Sequence, residues 1–172
     1  MKFSMDFGDT NFIGVVNAEK YKSFVHEDWE LDILLQHFSN EMEKGDILVF
    51  QMTDEGIEHS WKVEVQIGTE EIVRNCYRKA VGYIKVTENK LYLVDYDCLT
   101  MAAQFESNNV PDENCSNYKI SIGNGVYMIE IVQFYNVDKD EYTGTNDAEL
   151  LLNFIKVSDF KQVANTVFWS NY

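Results

Sequence analysis

YKISIGNGVYMIEI, residues 118–131, carries the reading on which the fold turns. Apolar residues alternate on both sides of an Asn124-Gly125 pair, and that pair supplies the two positive-φ residues of a tight type I′ turn. With Asn124 and Gly125 as the loop, Ile122 faces Tyr127, Ile120 faces Ile129, and Tyr118 faces Ile131. All six side chains then share one face, so the register predicts a hairpin that buries a continuous apolar patch.

Two more hairpins are predicted around it. VGYIKVTENKLYLVDYD (81–97), with Glu88 and Asn89 in the loop, sets Val86 against Leu91 and Ile84 against Leu93, while Tyr83 and Val94 meet on the other side. Apolar residues on both faces suit a central pair of strands. DILVFQM (46–52) leads through TDEGIEH to SWKVEVQIG (60–68), where Trp61, Val63, Val65 and Ile67 alternate with Lys62, Glu64 and Gln66, the pattern of a half-buried strand. ELLLNFIKV (149–157) is expected as a strand, with an irregular or helical end after it.

One helix is predicted at about residues 29–43. Leu31, Leu34, Leu35, Phe38 and Met42 form a single stripe at helical spacing, with Asp28 as N-cap, Gly45 as the stop, and Trp29 and Ile33 widening the contact. QFESNNVPDENCSN (104–117) reads as a polar, turn-rich loop. The expected fold is therefore α+β and mainly β: antiparallel hairpins forming a sandwich or curved sheet, with one amphipathic helix packed on it, in a single domain over residues 1–172.

Charge narrows the function. Twenty-nine acids against 14 bases give a formal charge of −15. That surface repels a phosphate backbone, so no nucleic-acid partner is expected, and it attracts cationic proteins instead. No stretch has the length of a membrane helix or the look of a signal peptide, which predicts a cytoplasmic protein without membrane association. Cys76, Cys98 and Cys115 lack Cys-x-x-Cys spacing and are expected as reduced, mostly buried thiols.

Chemical motifs are sparse. DKDEYTGTNDAE (138–149) has acids at positions 1, 3 and 12 of a calcium loop, but position 5 is Tyr142 and Gly144 comes one residue late. An exposed acidic loop is expected there, with no metal and no cofactor. His26, His37 and His59 adjoin no nucleophile motif, so no catalytic residue is assigned and the protein is read as not an enzyme. Arg74, Arg78, Lys79 and Lys85 form the one basic stretch, expected to balance nearby carboxylates.

The acids gather at turns: Asp54, Glu55 and Glu58; Asp112 and Glu113; Asp138, Asp140 and Glu141; Asp147 and Glu149. Loops at one end of a sandwich come together, and fields within a Debye length of about 8 Å reinforce one another. Asp54, Glu55, Glu58, Asp138, Asp140, Glu141, Tyr142, Asp147 and Glu149 are the expected partner-binding residues. Tyr142, with Tyr135, would be the aromatic anchor.

The Trp-led helix, GDILVFQMTDEGIEHSWKVEVQIG, the segment from Arg78 to Leu93 and GNGVYMIEI together resemble, over residues 28–135, the small acidic proteins of bacterial toxin-immunity systems. They also resemble inhibitors of competence-associated DNA-entry nucleases. That resemblance implies a β-rich cytoplasmic protein that binds and blocks a toxin or nuclease. The reading is thus a non-enzymatic acidic protein that neutralises a basic protein partner. The alternative is a small-ligand or carbohydrate-binding sandwich using Trp61, Trp29, Tyr92 or Tyr96 as platforms.

Overall fold

In the computed structural model, which describes residues 1–6, 8–68, 70–71, 75–144, 147–162 and 166–172, the Asn124-Gly125 turn joins strands of two different sheets. The chain runs β1 (Lys2–Met5), β2 (Phe12–Val16), α1 (Leu31–Lys44), β3 (Ile47–Gln51), β4 (Trp61–Gly68), β5 (Arg78–Val86), β6 (Lys90–Asp95), α2 (Tyr96–Gln104), β7 (Lys119–Ser121), β8 (Gly125–Gln133), β9 (Tyr135–Asn136), β10 (Glu141–Tyr142) and β11 (Leu150–Val157). One sheet has the order β1-β4-β11-β8-β5, a second β3-β2-β6-β7, and β9 and β10 form a small ribbon. All neighbours are antiparallel except β4 and β11.

The mainly-β class and antiparallel sheets are as expected, but the three predicted hairpins are not. β7 pairs with β6 while β8 lies between β11 and β5; β5 pairs with β8 and not β6; β3 and β4 belong to opposite sheets. Each turn steps from one layer to the other. Alternating apolar residues ask only for something apolar to face them, and a strand across the sandwich satisfies that as well as one alongside. The turn chemistry differs accordingly: Gly125 has φ 149° but Asn124 is not in the left-handed region, so no type I′ turn forms. Instead the Asn124 side chain accepts from the Asn89 N–H at 2.6 Å, and the Asn124 N–H donates to the Asn89 side chain at 3.1 Å, clasping the two sheet-to-sheet turns together.

Both helices pack on the four-stranded sheet, α1 against β3 and α2 against β2 and β6. This explains why β2 and β3 are buried along their whole length instead of at alternate residues. Two glycines mark the spacing. A Cβ on Gly14 would lie 2.9 Å from Val94 and 3.5 Å from Leu99 of α2, and one on Gly82 would lie 2.7 Å from Leu48 of the facing sheet. Tyr127, Ile129 and Ile131 of β8 join Leu34, Phe38, Leu48 and Leu93 in one apolar core.

α1 begins at Leu31, after Glu30, and ends at Gly45, whose φ of 78° lets its N–H reach back to the Met42 carbonyl at 3.0 Å. Asp28 is therefore not the N-cap. Leu34, Leu35, Phe38 and Met42 are buried, whereas Ile33 is 49% exposed and does not widen the contact. α2 was not foreseen: its Cys98, Leu99, Ala102 and Ala103 are buried at helical spacing behind an Asp95 cap, in a stretch that reads as the end of a strand. β11 is the expected strand. Beyond it, Phe168 bridges Phe50 in parallel, so the last described residues extend the edge of β3 and do not form a helix. No described helix is long and apolar enough to cross a membrane.

Candidate functional site

Asp138 organises one end of the sandwich. Its carboxylate accepts the Thr53 hydroxyl at 2.5 Å, the Asp54 N–H at 3.0 Å and the Glu55 N–H at 3.1 Å, so the turn after β9 holds the loop after β3. Burial pushes the Asp138 pKa up, but these three donors and the nearby Arg78 outweigh it and hold the carboxyl below its ordinary value. Arg78 is fixed in turn by Gln133 Oε1 at 2.6 Å, by the Gln51 carbonyl at 2.7 Å and by the Trp169 ring at 4.4 Å.

Further ties draw in a third loop. Glu149 Oε2 accepts the Lys62 N–H at 2.9 Å and lies 3.2 Å from His59 Nε2, off-line for a hydrogen bond. The His59 ring packs on Trp61 and Tyr135 at 4.7 and 4.9 Å; the Tyr135 hydroxyl donates to Asp140 at 2.7 Å, and the Tyr142 hydroxyl to the Ala148 carbonyl at 2.8 Å. Acids distant in sequence thus share one surface. Asp54, Glu55, Glu58, Asp140, Glu141, Asp147 and Tyr142 are exposed; Asp138 and Glu149 are half-buried and spend their oxygens inside the protein.

Sequence reasoning missed part of this end. Asp9 and Asp97 adjoin it: the Asp9 N–H donates to Asp97 at 2.9 Å, and Asn11, capped by Asp9, accepts the Met52 N–H at 2.7 Å. Nothing in the sequence links residues 9 and 97, because only the pairing of β2 with β6 brings them together. Asp112 and Glu113 line a groove with Cys98 and Met101 of α2.

The acids of this surface lack lysine and arginine ion pairs among the described residues. Among the described residues, the ion pairs with lysine are Lys20–Glu19, Lys44–Glu41, Lys79–Glu130 and Lys90–Glu88, and none involves this surface. Lys139 is exposed in the turn after β9, Lys2 and Lys62 line a groove with Asp147, and Arg78 faces Asp54 and Asp138 electrostatically. Of the basic stretch, Lys79 pairs with Glu130, Lys85 lies 4.7 Å over the Phe160 ring, and Arg74 lies outside the described residues.

Other sequence candidates resolve differently. In 138–149, Asp138, Asp140 and Glu149 turn to separate partners and do not converge as calcium ligands would. Trp61 is 1% exposed and cannot serve as a platform; Trp29, Tyr92 and Tyr96 pack half-buried against the core. Cys98 and Cys115 are buried thiols, and Cys76 is half-buried.

Compared by sequence, the chain matches no protein-family profile and no curated protein. By fold it is similar to solved structures that include a nuclease inhibitor. That structure is ComJ from Bacillus subtilis, described as an inhibitor of the DNA-degrading activity of NucA: TM-score 0.51, 11% identity, covering 91% of this chain and 96% of ComJ. A second is crocagin biosynthetic gene J, at TM-score 0.55 and 11% identity, covering 91% of this chain and 94% of that one. At such identity the likeness concerns the fold alone.

Proposed function

We propose that this protein is a non-enzymatic inhibitor that acts in the cytoplasm by docking its acidic end onto a basic protein of the nuclease kind. The observation that carries the reading is the surface built around Asp138, where exposed Asp54, Glu55, Glu58, Asp140, Glu141 and Asp147 have no lysine or arginine ion pair among the described residues. A nuclease must offer cations to a phosphate backbone. A rigid array of carboxylates competes for those cations, and its field accelerates encounter. Ile57, 38% exposed, and Tyr142, 42% exposed, supply apolar contact within the charged rim. The fold shared with ComJ, itself a nuclease inhibitor, supports the same direction.

The test is inhibition. Basic proteins retained from source-cell lysate by the immobilised chain at low salt, and released at high salt, are purified and assayed on plasmid DNA. Stoichiometric addition of the chain should stop cleavage by a retained nuclease, and addition of an Asp54→Lys, Glu55→Lys, Glu58→Lys variant should not. Retention only of acidic proteins, or undiminished cleavage, refutes the reading.

A further inference from the structure

Asp95-Tyr96-Asp97-Cys98 and Asp112-Glu113-Asn114-Cys115 are two turns of one design. In each, Oδ1 of the aspartate accepts the backbone N–H of the cysteine three residues on, at 2.8 Å in both cases. The first turn opens α2, and the second opens a short 3₁₀ turn at Cys115–Asn117 that packs on β6. Each carboxylate therefore fixes the backbone from which a thiol projects.

The fold sets the two turns face to face. The Cys115 thiol lies beside both Cys98 and Asp95. Cys98 Sγ, Cys115 Sγ and a carboxylate oxygen of Asp112 all lie within 4.8 Å of one another, the one grouping of this kind among the described residues. Both cysteines are buried, at 2% and 0% exposure. Cys98 and Asp112 also line a groove of about 390 Å³, with Met101, Asn108 and Glu113.

We propose that Cys98, Cys115 and Asp112 bind a thiophilic divalent cation of the zinc class, with its fourth position open to the groove. Zinc–sulfur bonds of about 2.3 Å and zinc–oxygen bonds of about 2.0–2.2 Å place donors on one tetrahedral ion roughly 3.4–3.8 Å apart. The three donors lie within 4.8 Å of one another, so drawing them in by about 1 Å or less would seat them on one ion. Two sulfurs select against calcium and magnesium, which take oxygen donors. A carboxylate has two oxygens, so capping a turn with one leaves the other for an ion.

Asp95 is a positioning residue: it accepts the Cys98 backbone N–H and lies beside the Cys115 thiol, the arrangement that tunes a metal site from outside. Metal uptake would release the two thiol protons to solvent and join α2 to the 112–117 turn. A disulfide between the same sulfurs would leave Asp112 and the groove without a part.

Cobalt(II) titration of the reduced, full chain tests the site. The expected result is one equivalent bound, with a thiolate-to-cobalt charge-transfer band in the near ultraviolet and the visible bands of tetrahedral cobalt, both erased by one equivalent of zinc. Cys76→Ser should keep these bands and Cys98→Ser/Cys115→Ser should lose them. Asp112→Asn changes a residue on the groove and should bind cobalt about tenfold or more weakly. It keeps the measurement decisive if the double serine variant fails to fold. A folded, reduced chain with no charge-transfer band, or Asp112→Asn binding as tightly as the native chain, overturns the proposal. So does conversion of Cys98 and Cys115 to a disulfide by air in the presence of equimolar zinc.

Discussion

Asp138 accepts a hydrogen bond from the Thr53 hydroxyl at 2.5 Å across 85 residues of sequence, and the two residues are the rivet of the acidic end. Removing the carboxylate strands the Thr53 hydroxyl and two backbone N–H groups together. Asp138→Ala should therefore destabilise the fold by about 1–3 kcal/mol, and Thr53→Val by a comparable amount, because the hydroxyl also accepts the Glu55 and Ile57 N–H groups at 3.2 Å. Denaturant melts of the two variants check the comparison.

The same carboxyl gives the loop a pH dependence of known sign. Its folded pKa lies below the unfolded value of about 3.9, so its contribution is fully present above that value and is lost as pH falls through the lower, folded pKa. The amide resonances of Asp54 and Glu55 should titrate together below about pH 4. In Asp138→Asn that joint titration should vanish, and stability should fall less steeply in acid.

Charge reversal at Asp54, Glu55 and Glu58 leaves the core untouched, because all three side chains are exposed. Their replacement by lysine should leave the melting temperature unchanged or raise it, since like charges are being removed from a chain of −15. Association with a basic partner should slow about tenfold or more and lose most of its salt dependence, as stopped-flow mixing at two ionic strengths would show.

Gly82→Ala sets two effects against each other. Alanine in a strand restricts the unfolded chain and alone would stabilise by about 0.4–1 kcal/mol. The new Cβ meets Leu48 at 2.7 Å and Phe168 at 3.1 Å in a closed layer, and overpacking of that kind costs about 1–3 kcal/mol. The net change should be destabilising. Leu48→Ala should cost less in the Gly82→Ala background than in the native one, a coupling that a double-mutant cycle reads directly.

On α1, Phe38→Ala should cost about 3–5 kcal/mol, while Ile33→Ala should lie within about 0.5 kcal/mol of native. Equal losses would contradict the placement of Ile33 on the solvent side.

The amphipathic helix and most strands were legible because each leaves a periodic trace in its own residues. Pairing was not, since Ile120 and Ile129 alternate identically whether they sit side by side or on facing sheets. α2 escaped notice because Tyr96-Asp97-Cys98-Leu99 continues a strand pattern, and the Asp95 cap that starts the helix becomes evident only with its hydrogen bond to Cys98. The acidic surface was half legible. Turn acids could be expected to meet, but which of them remain available depended on donors such as Thr53 and the Lys62 N–H, which no composition reveals.

β11 lies between β4 and β8, holding the larger sheet together from its middle. During synthesis β1, β4, β5 and β8 have emerged while their central member is still unmade, so that sheet cannot close until residue 157 leaves the ribosome. Nascent chains arrested before residue 150 should be digested by protease along their whole length, and those extended past the ribosomal tunnel should not.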